Sequence, residues 1–167
     1  MFHRILTVIA ALLLSACASN PAPLPATTPT LHLPMQLHVQ REQGGQRQDW
    51  LLVIQTEGAG LRWSLMDPLG IPQARQILRD GEWQSDGLLP PNPEARELFA
   101  GILFALTPEQ ELGRVYPGGD WHTGGQKRRW GKHGSERWRV HYRKVGLFEL
   151  EAQDALDYEI QSIEPSP

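Results

Sequence analysis

The sequence predicts an antiparallel α+β domain in which a curved sheet encloses one apolar helix beside a short second one. Three observations predict it. Period-two alternation of apolar and polar residues runs from residue 35 to about 85 and resumes after residue 126. Between these blocks lies one long helical pattern. Its residues 98–106 carry no polar side chain at all, and a helix apolar all round must be surrounded.

The first strand alternates Met35, Leu37 and Val39 with Gln36, His38 and Gln40, and Gly44-Gly45 turns the chain. Residues 49–56 form a second strand with Trp50, Leu52 and Ile54 on one face. Leu51 and Val53 make its other face apolar too, so this strand is expected to be covered on both sides. After the turn at 57–60, Leu61, Trp63 and Leu65 alternate along a third strand, broken at Asp67-Pro68-Leu69-Gly70. A fourth spans 73–79, and Asp80-Gly81 is a two-residue hairpin signal returning the chain through 82–85.

Helix signals then converge. Asn92 suits the cap, Pro93 the first helical position, and Glu94 and Glu97 the positive end of the helix dipole. Thr107-Pro108-Glu109-Gln110 has the pattern of a capping box and predicts the short second helix. Residues 115–125 read as a glycine-rich loop. Strands resume at 126–131 and 135–144, where Trp138, Val140 and Tyr142 oppose Arg137, Arg139, His141 and Arg143. Phe148 and Leu150 mark the next strand, and Tyr158 and Ile160, with Ile163 beyond, the last. Strands, helices, strands is the order of an α+β fold.

The N-terminus follows different rules. Phe2-His3-Arg4 and an apolar run from Ile5 to Leu14 give a basic start and an h-region too short to span a bilayer. Leu14-Ser15-Ala16-Cys17 follows, and Cys17 is the chain's single cysteine. Those four residues resemble the lipobox of bacterial lipoproteins; the alternative is an ordinary signal peptide with an incidental cysteine. The resemblance implies a signal peptide at 1–16 and a mature N-terminus at Cys17 carrying diacylglycerol and an N-acyl chain. Several chains hold a protein on a membrane stably where one does not. Ala18, in place of a retaining Asp, implies the periplasmic face of the outer membrane. Residues 18–34 hold Pro21, Pro23, Pro25, Pro29 and Pro34 among small residues and are expected to be a tether with no packed structure. The domain proper is residues 35–167.

Composition narrows the partners. The formal charge is −3, and removal of residues 1–16 takes away only Arg4, giving −4. A mildly acidic envelope protein does not fit nucleic acid. With Cys17 committed to lipid, no intrachain disulfide forms and the core alone must hold the fold. Six tryptophans point to large apolar surfaces.

The order of elements from Met35 to Glu164 resembles the LolA/LolB superfamily, whose fold is an incomplete antiparallel barrel closed by helices over an apolar cavity. Leu61-Arg62-Trp63-Ser64-Leu65-Met66-Asp67-Pro68-Leu69-Gly70 resembles the LolB strand ending in Asn-Pro-Leu-Gly, whose protruding leucine helps place lipoproteins in the membrane; Leu69 is the matching position. Trp138-Arg139-Val140-His141-Tyr142 and Asp157-Tyr158-Glu159-Ile160 match in character. In length, and in the Leu33-Pro34 start, the chain resembles small outer-membrane lipoproteins found with aryl-polyene lipid biosynthesis genes. The chain departs from LolB in having Asp67 for Asn and a short helical region. The resemblance implies a lipidic or acylated ligand and a periplasmic carrier protein as partner.

No zinc-protease, paired-cysteine, phosphate-loop or nucleophile-elbow pattern occurs. Asp120 and His122 lie close together in the glycine-rich stretch but lack a nucleophile, and are read as loop residues. No cofactor or metal is expected. The basic run Lys127, Arg128, Arg129, Lys132, Arg137, Arg139, Arg143 and Lys144 meets one acid, Glu136. It suits either anionic headgroups or, better, cross-strand pairing with Glu149, Glu151 and Glu159. The candidate walls of an acyl cavity are Trp50, Trp63, Leu65, Leu98, Phe99, Ile102, Leu103, Leu106 and Trp138, each also a plausible core residue. Leu69 is the candidate membrane or partner contact, unless it folds back onto the sheet. The leading expectation is a non-enzymatic lipoprotein that binds or transfers a lipidic ligand. The alternative is a structural or assembly lipoprotein using its outer surface.

Overall fold

The computed structural model describes residues 21–153 and 155–163. The lipobox, Cys17 included, lies outside the described residues. Five strands come first: β1 (Met35–Gln43), β2 (Gln46–Glu57), β3 (Gly60–Met66), β4 (Pro72–Arg79) and β5 (Glu82–Ser85). Helix α1 (Pro93–Leu106), a 3₁₀ turn (Glu109–Glu111) and the single-turn α2 (Leu112–Val115) follow. Five more strands end the chain: β6 (Trp121–Gly124), β7 (Lys127–Trp130), β8 (Trp138–Lys144), β9 (Leu147–Ala152) and β10 (Leu156–Ser162). All ten form one sheet in the order β5-β4-β3-β2-β1-β10-β9-β8-β7-β6. Every pairing is antiparallel, and the two meanders join where β1 meets β10, with Val39 opposite Ile160. Because β5 and β6 are the edges, the sheet is open, an arrangement compatible with an incomplete barrel.

Alternation decides which face is inside. Val39, Leu52, Ile54, Trp63, Leu65, Leu78, Trp138, Val140, Phe148, Leu150, Tyr158 and Ile160 are buried, and they share a cluster with α1. Asp80 and Gly81 both take positive φ, 53° and 73°, in the two-residue hairpin between β4 and β5. The second face of β2 differs from expectation. Leu51 and Val53 are only half-buried, opposite His38, Met66, Gln36 and Ser64 on the neighbouring strands. Apolar content on that face exceeds what the fold covers.

The helix begins as its residues dictate. Asn92 accepts a hydrogen bond from the Ala95 backbone N–H at 3.1 Å, with Pro93 in the first turn. Residues 98–105 are all buried. A side chain on Gly101 would place its Cβ 2.9 Å from Leu150 Cδ2 and 3.3 Å from Trp138 Nε1. Glycine is therefore what lets α1 lie directly on β8 and β9.

The segment expected to be an unpacked tether is docked over residues 21–34. Pro25 and Pro29 are buried, and Ala22, Leu24, Leu31 and Leu33 pack on the core. The Ala26 N–H donates to Val115 O at 2.8 Å, the Thr30 N–H to Glu111 Oε2 at 3.0 Å, and Arg114 Nη1 to Thr27 Oγ1 at 2.7 Å. Prolines deny this strap a place in a sheet, but by fixing φ they also lower the entropy lost on docking. The loop expected at 115–125 likewise contains structure. Trp121 pairs with Trp130 and Thr123 with Arg128, giving β6, an edge strand of four residues that is too short to register as alternation.

Candidate functional site

The inner face of the sheet and the helix meet through aromatic rings. Trp63 lies 5.3 Å from Phe99 and 5.9 Å from Trp83, centroid to centroid. On the other flank Phe104 is 5.8 Å from Trp138 and 5.3 Å from Trp130, which in turn packs on Tyr116. Of the nine candidate wall residues, Trp63, Leu65, Leu98, Phe99, Ile102, Leu103 and Trp138 are buried, none more than 2% exposed. They fill the core rather than line a vacant acyl cavity between helix and sheet. Trp50 and Leu106 are half-buried.

Polar side chains fix the helix at both ends. Glu97 accepts Trp138 Nε1 at 2.8 Å and both Arg137 Nε and Nη2 at 2.7 Å. Arg96 Nε donates to Gln76 Oε1 at 2.9 Å on β4. At the C-terminal end the buried Arg128 reaches the helix carbonyls, and Tyr142 Oη donates to Ala105 O at 2.7 Å. Burial pushes the Arg128 guanidinium below its ordinary value and the Tyr142 hydroxyl above its own.

Three of the candidate residues do meet at a cleft. At the end of the sheet where α1 begins, a cavity of about 370 Å³ is lined by Trp50, Leu65 and Leu98 together with Ala95, Arg41, Glu94, Asn92 and four glutamines. Arg41 forms a two-point ion pair with Glu94, Nε–Oε1 at 2.6 Å and Nη2–Oε2 at 3.2 Å. Its guanidinium carbon is 6.0 Å from the Trp50 ring centre. The Glu94 hydrogen bond raises the Arg41 pKa despite partial burial. Tyr158 Oη approaches the same carboxylate at 3.3 Å, and burial holds its hydroxyl well above the ordinary tyrosine range.

The basic run is largely spent on pairing. Arg139 meets Glu151 at 3.0 Å, Arg143 meets Glu149 at 2.6 Å, and Arg129 meets Glu136 at 3.6 Å. Arg143 holds the Glu149 carboxyl below its usual range. Cross-strand pairing with Glu149 and Glu151 thus takes the place expected of it, while Arg137 goes to Glu97 and Arg128 into the core. Lys127, together with the paired Arg129 and Arg139, lines a shallow concavity of about 720 Å³ on the outer face of β6–β8. Asp120 and His122 are 3.3 Å apart and both exposed. Among the described residues no group of His, Cys, Asp and Glu could hold a metal, and no helix there is long and apolar enough to cross a membrane.

Leu69 is 85% exposed. Asp67 builds its turn: Oδ1 accepts the N–H of Leu69 and of Ile71, each at 2.9 Å, while Gly70 N–H donates to Asp67 O at 2.9 Å. Asp67 therefore needs only the single acceptor oxygen that an asparagine would also offer. Ile71 and Leu88 are exposed as well. Asp86 N–H donates to Arg75 O, and its carboxylate takes Arg75 Nη2 at 3.0 Å, so the chain leaving β5 runs beside the start of β4. Sequence reasoning missed Arg41, Glu94 and Glu97 as organisers of the cleft and helix. The register of β1 against β2, which puts Arg41 opposite Gln48 on the inner face, was the signal available. No protein-family model matches this chain, and no curated protein matches it significantly.

Proposed function

We propose that this chain is a LolB-like outer-membrane lipoprotein, anchored through Cys17 on the periplasmic face, that binds or hands over a lipidic or acylated ligand without catalysing a reaction. One observation carries the reading: a helix apolar over residues 98–106 lies across the inner face of a sheet whose edge strands do not pair with each other. Apolar helix–sheet contact can be exchanged for contact with acyl chains at little net cost, because both bury the same kind of surface. The open edge lets α1 move without breaking a strand ladder. Outer-membrane lipid at the anchor and a periplasmic carrier protein are the partners this reading supplies.

The docked strap changes the geometry of the anchor. Only residues 18–20 separate Cys17 from Pro21, a reach of roughly 14 Å at full extension. A lipidated Cys17 would hold the domain close to the bilayer.

A second reading, an assembly lipoprotein that binds an envelope protein through its surface, is favoured by the filled core and by exposed Leu69, Ile71 and Leu88. Native mass spectrometry of the domain from residue 18 onward separates the two. The lipid reading expects a co-purified acylated mass and displacement by a fluorescent fatty acid. A folded domain of bare mass that ignores the fatty acid leaves the assembly reading. Cys17→Ser should separately abolish lipid labelling and outer-membrane fractionation; retention of both would remove the anchor from either reading.

A further inference from the structure

The inner face of the β1–β2 hairpin changes character along its length. On β2 the inward residues run from buried Ile54 and Leu52 to half-buried Trp50 and then to exposed Gln48 and Gln46. On β1 the matching positions are Val39, Arg41 and Gln43, paired across to Trp50, Gln48 and Gln46. The change falls where α1 starts, because beyond Pro93 no helix covers the sheet. The hairpin also overhangs β3, whose last residue, Met66, stands opposite Leu51. The resulting cleft has an apolar floor of Leu65, Ala95 and Leu98, an indole on its wall and a rim of amides.

That combination is selective. Arg41 and Glu94 neutralise each other in place, so the cleft carries no free charge to draw a phosphate or carboxylate. A bare acyl chain would cover the floor while stripping water from the glutamine amides, which costs free energy for each group left without a partner. Among the described residues, Gln46 and Gln48 make no side-chain hydrogen bond, and Gln73 makes one, to Ile71 O at 3.3 Å. Each amide offers both a donor and an acceptor. A fitting ligand is uncharged, dense in hydroxyl groups and apolar on one face.

We propose that the Trp50 cleft is a saccharide-binding site. A pyranose ring presents an apolar C–H face to the Trp50 indole and hydroxyls, each both donor and acceptor, to Gln46, Gln48 and Gln43. The volume of about 370 Å³ lies in the range of small-molecule sites. Arg41, fixed by Glu94 and donating from Nη2 to Gln43 Oε1 at 2.6 Å, sets one side wall and orients an amide of the rim. The ring is either a free glycan or the headgroup of a glycolipid. The proposal does not rest on the acyl-transfer reading, since the cleft is present with α1 in place.

The test uses the full-length lipoprotein in a zwitterionic, sugar-free detergent, with saturation-transfer NMR and tryptophan emission as readouts. The probes are hexose and N-acetylhexosamine disaccharides, maltose and N,N′-diacetylchitobiose among them, then the corresponding alkyl glycosides and laurate. Saturation of ring protons is expected, with at least tenfold weaker binding in Gln48→Leu at unchanged melting temperature and in Trp50→Ala, which also loses part of its packing on the core. Equal affinity for disaccharide and alkyl glycoside identifies a free glycan, and a tenfold gain for the glycoside identifies a glycolipid headgroup. No ring-proton transfer from any saccharide, or transfer indifferent to both variants, overturns the proposal. Laurate binding without saccharide binding also overturns it while leaving the lipid reading intact; the reverse result sinks only the lipid reading.

Discussion

Arg128 Nη1 donates to the carbonyl of Phe104 at 2.6 Å, tying strand β7 to the last turn of the buried helix. The same nitrogen reaches Thr107 O at 2.8 Å and Ala105 O at 3.3 Å. A helix leaves its final carbonyls without intrahelical partners, and here those groups are inside the protein. A cation at that end also meets the negative pole of the helix dipole. The guanidinium carbon lies 5.4 Å from the Phe104 ring centre and 5.6 Å from that of Tyr142, so its flat faces are covered by aromatic surface. Arg128→Leu should cost about 3 kcal/mol, from lost charged hydrogen bonds and carbonyls left unpaired. Arg128→Lys should recover only part of this, because a more strongly hydrated ammonium lacks the flat guanidinium surface that packs on Phe104 and Tyr142. Urea unfolding of the two variants checks both; equal stability of Leu and wild type would refute the capping role.

The strap gives a pH prediction. Hydrogen bonds from Thr30, then the charge of Arg114, hold the Glu111 carboxyl below its ordinary value near 4.5. A carboxylate with a lowered folded-state pKa contributes stability that is complete above the ordinary value and is lost as pH falls through the lowered one. The Thr30 N–H then faces a protonated, weaker acceptor. The exchange protection of residues 21–34, taken relative to the intrinsic rate at each pH, should fall below about pH 4, ahead of the core strands. Glu111→Gln should raise strap exchange at neutral pH and flatten this acid response. An acid response unchanged in Glu111→Gln would assign it to another group.

Gly101 tests how tightly the helix and sheet are packed. Alanine there gains about 1 kcal/mol of helix propensity but sets its Cβ 2.9 Å from Leu150 Cδ2. The two effects nearly cancel, and Gly101→Ala should fall within about 1 kcal/mol of wild type. Gly101→Val adds two methyl groups against Trp138 and Leu150 and should lose about 2 to 3 kcal/mol. A valine variant as stable as wild type would mean that α1 shifts freely off β8–β9. That mobility is what a carrier of acyl chains requires, so this denaturation experiment also bears on function.

How much of this was legible beforehand follows from which signals are local. The alternation of Leu61, Trp63 and Leu65 and the cap at Asn92 depend on neighbouring residues alone, and both elements stand where the pattern placed them. The apolar run at 98–106 required enclosure, and the sheet encloses it. The strap was misread because proline content speaks about hydrogen-bonding capacity and says nothing of docking; its anchors, Val115, Glu111 and Arg114, lie more than 80 residues away. Arg128 was hidden for a different reason. Within Lys127-Arg128-Arg129 nothing marks the middle residue as buried until β6 and β7 fix which face is inward. The cleft at Trp50 needed the length of β2 relative to β3, a boundary that composition does not set.

The last prediction concerns Leu69. Its turn is held by two backbone N–H groups converging on one Asp67 oxygen, so the leucine is presented rather than loosely suspended. Full exposure of a large apolar side chain on a rigid turn, with Ile71 beside it, leaves apolar surface that a partner or bilayer would bury at roughly 1.5 to 3 kcal/mol per side chain. That is enough to bias a transfer or docking step and too little to anchor the protein alone. Since Leu69 is 85% exposed, Leu69→Glu should leave the melting temperature within a degree or two and reduce transfer or partner binding at least tenfold. Asp67→Asn should retain activity, because one acceptor oxygen suffices, whereas Asp67→Ala should lower it by freeing the turn. Equal activity of Leu69→Glu and wild type would show that the turn is exposed without being used. A fall of ten degrees in Leu69→Glu would place the side chain against the sheet in solution and withdraw the turn from function altogether.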